Sequence, residues 1–266
     1  KLYHRHFQEN RHATTAEAFH GMAKDAEPVS ALVFAAFEQS RGVLQPAVWD
    51  WEKRGLTEGV KELLRYEERF FQEHPRRIPA YFELSFGPLD GGDADPSSRK
   101  EPVTLRLGNQ RLGLKGRIDR LDLERIALPS GEEAAVYWIL DYKSGHPDVS
   151  AAKIRKGEDV QLPLYVLAAE DLLESLGGKA LAAGAGILEI LPPKHGGKFH
   201  KKMKPNKGML EDAAWDKDLA SAKEWIFRYA RDIGRGRFTP TPKPQCEPYC
   251  PYRSLCRFEE RRIARK

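Results

Sequence analysis

The 266 residues are 41% hydrophobic and 31% charged, enough apolar content for one sizeable core, with or without helical additions, and a single domain is the simplest expectation. No apolar run in these residues approaches the length of a membrane span and no signal-peptide pattern opens the chain, which makes a cytoplasmic setting the expectation. The 44 Lys and Arg against 39 Asp and Glu leave a net charge of +5, a modest basic excess that suits a polyanionic partner without demonstrating one.

Residues 1–77 read as a helical N-terminal part. Residues 13–24 and 28–44 carry Ala, Phe, Leu and Glu with few breakers, and in residues 56–74 apolar side chains recur at Leu56, Val60, Leu63, Leu64 and Phe70 or Phe71. That recurrence is the spacing of an amphipathic helix, and Pro75 and Pro79 end it. Residues 78–87 switch to alternation, with Tyr81, Glu83 and Ser85 on one face and Phe82, Leu84 and Phe86 on the other, so a catalytic core over 78–192 opens with a strand. The run 90–101 is rich in Gly, Asp, Pro and Ser and reads as a flexible loop without chemistry of its own.

Two strands then bring charge to one place. Leu112, Leu114 and Ile118 share one face of the first, and Lys115, Arg117 and Asp119 the other. Residues 136–140, Val-Tyr-Trp-Ile-Leu, are an unbroken apolar run suited to a strand buried on both faces. It ends in Asp141-Tyr142-Lys143, where Asp141 and Lys143 project to one side while Tyr142 points away and leaves its backbone carbonyl available. If the strands are neighbours, Asp119 and Asp141 can share a divalent cation, and such hard oxygen ligands suit magnesium or manganese. Lys143 would orient or help deprotonate an attacking water, or stabilise charge developing on a phosphate.

Gln161 and Tyr165 lie four apart on one helix face, with Pro163 tolerable near the helix start. Residues 184–191 read as the final core strand. Beyond it, residues 194–207 hold six lysines with Phe199 and His200. This is either a segment that tracks a nucleic-acid backbone or a solvated hairpin loop. Residues 212–235 form an amphipathic helix through Trp215, Leu219, Ala222, Trp225, Ile226 and Tyr229. All three cysteines of the chain, Cys246, Cys250 and Cys256, then crowd into eleven residues, which favours ligation of zinc or an iron-sulfur cluster.

The order Gly116-Arg117-Ile118-Asp119-Arg120, a hydrophobic strand, Asp141-Tyr142-Lys143-Ser144-Gly145 and Gln161-Leu162-Pro163-Leu164-Tyr165 resembles the PD-(D/E)xK nuclease superfamily, in its RecB/AddB branch, over residues 78–258. The resemblance implies a restriction-endonuclease-like α/β fold: a mixed central sheet flanked by helices, with the helical N-terminal part before it and a cysteine-ligated C-terminal segment after it. It implies that Gln161 and Tyr165 line the active site, and it commonly places an acid at Glu83, which joins Asp119, Asp141 and the Tyr142 carbonyl as a metal ligand. The family's metal-binding histidine has no counterpart here, and Glu38, His12 or His20 are its possible replacements. Three C-terminal cysteines after a segment like Phe238-Thr239-Pro240-Thr241-Pro242 imply a [4Fe-4S] cluster whose fourth cysteine is absent from these residues and is expected just before Lys1.

The expected function is thus a magnesium- or manganese-dependent deoxyribonuclease, acting on single-stranded DNA and linked to repair or recombination through a helicase. No Gly-x-x-x-x-Gly-Lys-[Ser/Thr] motif occurs here, so any motor lies elsewhere. The alternative is a nuclease fold that has lost catalysis and serves as a DNA-binding structural module.

Overall fold

The structure, a computed structural model, describes residues 15–43, 45–88, 94–127, 131, 133–144, 149–176, 180–190, 192–200 and 212–239, without the side chains of 195–200. The segment that carries Cys246, Cys250 and Cys256, the lysines of 201–207, and His12 lie outside the described residues.

Helix α1 (Ala16–Arg41) is followed by α2 (Pro46–Glu73). Pro46 begins α2, where its missing N–H costs nothing. The expectation of two helices before residue 44 is corrected, because α1 continues through Pro28. An interior proline costs about 3 kcal/mol, but its ring is exposed and the helix is buried on both sides of it, at Phe19, Met22 and Ala26 before and Ser30 after. Phe19 stacks on Phe71 of α2 with ring centroids 5.1 Å apart. These residues form a buried cluster with Leu64 and with Phe82 of the first strand, so the helical hairpin is fastened to the sheet by apolar burial.

The sheet has five strands in the order β1-β4-β5-β6-β7, namely Arg77–Phe86, Gly116–Ala127, Glu133–Lys143, Ala180–Ile190 and Pro193–His200, while β2 (Val103–Leu107) and β3 (Gln110–Leu114) make a separate hairpin. β5 and β6 pair in parallel and the other neighbours are antiparallel. The parallel pair requires a crossover, which is supplied by α3 (Ala151–Arg155) and α4 (Gln161–Ser175). Residues 136–140 are buried as their apolar run requires, apart from partial exposure at Trp138. On α4 the apolar set Leu162, Val166, Ala169, Leu172 and Leu173 is buried, and Tyr137 of β5 donates its hydroxyl to the Val166 carbonyl at 3.0 Å.

Three further expectations are corrected. The run 112–119 is not one strand, because the chain leaves β3 at Leu114 and starts β4 at Gly116. A Cβ on Gly116 would lie 2.8 Å from the Phe86 ring, so any larger residue at this pairing of β1 and β4 would have to displace a fully buried ring. The strand expected over 184–191 is, through its described residues 184–190, part of the longer β6, which is not the last: the start of the lysine-rich run is edge strand β7, on which Lys194 pairs with Glu189 at 3.3 Å. Lysines are a common guard on exposed sheet edges, and in sequence they imitate a loop. Finally, residues 94–101 are not a free loop, since they bond along the outer edge of β1.

The chain divides into two compact units, Lys1–Ile226 and Phe227–Lys266, with the boundary inside α5 (Ala213–Gly234). Within the first, Trp225 and Ser221 both donate to the Arg155 carbonyl, at 3.0 and 3.3 Å, and Asp218 pairs with Arg155 at 2.9 Å. Of the second, residues 227–239 are described. The helix end closes there with Gly236 in the left-handed region, its N–H on the Ile233 carbonyl.

Candidate active site

Strands β4 and β5 are antiparallel neighbours, and the pairing of Arg120 with Leu140 brings Asp119 and Asp141 side by side one residue further on. Asp119 Oδ2 accepts the Tyr142 backbone N–H at 2.9 Å. Burial pushes the Asp119 carboxyl up to about 6; the Tyr142 N–H opposes this and the charges of Asp141 and Glu83 add to it. Asp141 is 2% exposed. Its Oδ1 accepts Gln161 Nε2 at 2.7 Å, and Gln161 Nε2 also reaches the Tyr165 hydroxyl at 3.3 Å. Lys143 Nζ pairs with Asp141 Oδ2 at 2.7 Å, and that buried oxygen has no hydrogen-bonding partner besides it among the described residues. Contact with Asp141 holds the Lys143 ammonium above its ordinary range. Tyr142 faces the other way, as alternation requires, and receives a hydrogen bond from Arg120 Nη1 at 3.3 Å.

Glu83 reaches the same place from β1. The pairings Phe82 with Arg120 and Leu84 with Ile118 set it across from Asp119, and its φ of 54° is left-handed. Its Oε2 accepts Arg117 Nη1 at 3.3 Å, while Arg117 Nε donates to Ser85 Oγ at 3.0 Å. The structure therefore groups Asp119, Asp141, Lys143, Gln161 and Tyr165, and adds Glu83 at the margin, tied to Arg117. Among the described residues no three His, Cys, Asp or Glu side chains stand close enough together to hold a metal ion. The acidic pair nonetheless fits a divalent cation: two carboxylates are adjacent, Asp119 raised by burial, and the buried Asp141 Oδ2 faced by the Lys143 ammonium alone among the described residues.

Two groups escaped the sequence reading. Asp159, two residues before Gln161, is raised chiefly by burial and feels the charges of Asp141 and Lys143. Beneath the site is a buried quartet: Arg120 bonds Glu67 Oε2 at 2.7 Å and Asp122 Oδ1 at 2.6 Å, and Arg77 bonds Asp122 Oδ2 at 2.9 Å. Arg120, Glu67 and Asp122 are all fully buried, and burial pushes the Glu67 carboxyl up against the pull of Arg120. A signal for Glu67 was present, since it lies on the apolar stripe of Leu63, Leu64 and Phe71. Of the possible replacements for the family histidine, the two that are described, Glu38 and His20, are engaged elsewhere. Glu38 accepts from Trp49 and Lys53 at 2.7 and 2.8 Å, and His20 is 3.3 Å from Glu68.

The raised Asp119 gives a stability prediction with a definite sign. Because its folded value of about 6 exceeds the ordinary 3.8, its contribution to stability is fully present below pH 3.8 and is lost as pH rises through about 6. The shift corresponds to about 3 kcal/mol, or ~1–2 kcal/mol after discounting for partial exposure. Asp119→Asn keeps an acceptor for the Tyr142 N–H and removes the charge. The metal-free variant is expected to be ~1–2 kcal/mol more stable than wild type at pH 8, with the gain vanishing by about pH 4, in urea denaturation followed by circular dichroism. A variant less stable at pH 8 would refute this.

A family model described as the PD-(D/E)XK nuclease superfamily matches residues 2–257. Three relatives are each named as a subunit of an ATP-dependent helicase/deoxyribonuclease. That of Clostridium botulinum (strain Loch Maree) is 31% identical over 116 residues, 42% of this chain and 9% of the relative. That of Desulfitobacterium hafniense (strain DSM 10664) is 31% identical over 140 residues, 51% of this chain and 10% of the relative. That of Lactobacillus delbrueckii subsp. bulgaricus (strain ATCC BAA-365) is 28% identical over 120 residues, 45% of this chain and 9% of the relative. The chain thus aligns with about a tenth of the length of these proteins.

Proposed function

The chain belongs to the PD-(D/E)XK nuclease superfamily, and from that premise we propose that it is a divalent-metal-dependent DNA nuclease, acting on single strands and working with a helicase. The observation that carries the proposal is the convergence of Asp119, Asp141, Lys143 and Gln161 at the paired ends of β4 and β5 and the start of α4. The helicase link rests on the names of relatives that match this chain only in part.

Asp119, Asp141 and the Tyr142 carbonyl would hold magnesium or manganese, with Glu83 joining once it leaves Arg117. When bound, the cation supplies Lewis acidity to a phosphate oxygen and to water. The chain's own groups do the rest. Gln161 fixes Asp141 through Oδ1, so the carboxylate presents its other oxygen to the site. Lys143, held above its ordinary range by Asp141, keeps its proton. It therefore acts as a donor that aligns the attacking water and neutralises charge on the phosphate, while the water's proton leaves to solvent. A bond forms from the water oxygen to phosphorus, the bond to the leaving oxygen breaks, and that oxygen takes up a proton. Tyr165, raised above its ordinary range chiefly by burial, stays neutral and can donate to a phosphate oxygen.

We also assign Cys246, Cys250 and Cys256 to an iron-sulfur cluster, most simply [4Fe-4S], on their spacing and on the family resemblance. Its role would be to staple the C-terminal segment, since thiolate ligation supplies folding free energy to a piece too short for its own core.

The test is a titration of purified protein with magnesium and manganese on single-stranded and duplex DNA, with Asp141→Ala as control and iron and sulfide analysis of the same preparation. Metal-dependent cleavage of single strands, absent in Asp141→Ala, is expected. Binding without cleavage at any metal concentration would leave the non-catalytic DNA-binding module instead, and zinc without iron would replace the cluster.

A further inference from the structure

The site includes a strained residue, and the strain is held from outside. Glu83 has a φ of 54° in the middle of β1, a conformation that crowds an L side chain against its own backbone and is kept only where its surroundings impose it. Those surroundings are residues 95–99. The Asp95 N–H donates to the Glu83 carbonyl at 3.2 Å, and Asp95 Oδ2 accepts the Phe82 N–H at 3.2 Å. Asp95 Oδ1 is occupied by the Ser97 N–H at 2.8 Å, which locks the carboxylate's orientation. On the other side of Glu83, Ser98 Oγ accepts the Ser85 N–H at 2.9 Å and the Arg99 N–H donates to the Ser85 carbonyl at 3.1 Å. Arg99 also pairs with Asp171 of α4, the helix that begins with Gln161. Asp95 and Ser85 are each 4% exposed, so these bonds are made away from water, where an unmade partner is costly.

β1 is an edge strand, and a sixth strand added in regular register would have flattened it. Residues 95–99 instead bond to backbone groups on both sides of Glu83, and so fix its left-handed backbone. We infer that Asp95 is a positioning residue, and that residues 95–99 are a clasp that aims Glu83 across the sheet at Asp119 to complete the cation site. This rests on the metal-dependent reading above and adds to it a residue that touches neither cation nor DNA. Asp95→Ala removes the carboxylate that accepts the Phe82 and Ser97 N–H groups; the backbone N–H of residue 95 alone then holds the Glu83 carbonyl, so φ at Glu83 relaxes and its carboxylate turns from Asp119.

The test is a thermodynamic cycle on manganese affinity, read by the electron paramagnetic resonance signal of free Mn2+, without DNA and without turnover. Loss of a residue that orients a ligand weakens metal binding by about 10-fold or more. Asp95→Ala and Glu83→Gln are each expected to weaken Mn2+ binding by ~10-fold, and the double variant by no more than ~2-fold beyond either, since both remove the same ligand. Should Asp95→Ala fold poorly, Ser98→Ala, which removes one clasp bond, is expected to lose ~3-fold with the same lack of additivity. Full losses that multiply in the double variant, or wild-type affinity in Asp95→Ala, would overturn the clasp while leaving the nuclease reading intact. A wild-type protein that binds no Mn2+ would overturn both.

Discussion

Lys143→Ala is expected to lower single-strand cleavage by at least ~10³-fold while changing DNA affinity by less than ~3-fold. A donor aimed at charge that develops during reaction contributes to the rate and little to ground-state binding, and removal of one such donor costs about 10²–10³-fold elsewhere. Here the lysine also neutralises Asp141 at 2.7 Å, so its loss leaves a nearly buried carboxylate without its cation and raises the expected deficit. Lys143→Arg is not expected to rescue, because a planar fork cannot occupy the position of a compact ammonium. Single-turnover cleavage and fluorescence anisotropy with labelled single strands, the latter in calcium, separate the two effects. Cleavage within ~10-fold of wild type in Lys143→Ala would remove the lysine from the mechanism.

The largest stability effect is expected at Arg120→Leu. The quartet is neutral as it stands, with Arg77 and Arg120 against Glu67 and Asp122. Removing Arg120 leaves Glu67 without a counter-charge at zero exposure and Asp122 with Arg77 alone. Breaking a buried pair from one side costs about 3–5 kcal/mol, whereas replacing both partners by apolar groups is often close to neutral. Arg120→Leu is therefore expected to lose ~3–5 kcal/mol in urea denaturation, and Arg120→Met with Glu67→Leu to recover more than half of it. A single-variant loss below ~1 kcal/mol would contradict the reading of the quartet as a cooperative unit.

Much of the site could be read from alternation. The step from Asp119 to Asp141 and Lys143 needed only that side chains alternate and that two apolar strands pair, and both held. The i, i+4 face of Gln161 and Tyr165 was equally local, and the structure sets it on Asp141. What escaped depends on partners distant in sequence. Glu67 is legible as an acid on an apolar stripe, but its partner Arg120 is 53 residues away. Arg117 and Asp119 share a face in the sequence, yet the bond from Arg117 to Glu83 involves a left-handed backbone at 83 whose partners are in residues 95–99. Those residues look like a loop because Asp and Ser serve equally as turn formers and as side-chain partners for a strand edge, and Pro96 adds a turn signal of its own. Pro28 misled for a related reason: local propensity argues for a break, and packing against α2 overrides it.

The left-handed backbone at Glu83 has a consequence for anyone who redesigns this chain. Glycine would occupy a φ of 54° without steric penalty, so a sequence chosen on this backbone for folding energy alone would write glycine at 83. Relief of the left-handed strain favours that variant in any screen that reads folding energy alone. The carboxylate is information that the fold does not request, carried at a point where it is mildly disfavoured. Position 83 must therefore be held fixed by hand in any thermostabilised version, together with residues 95–99, which look like dispensable surface to the same screen.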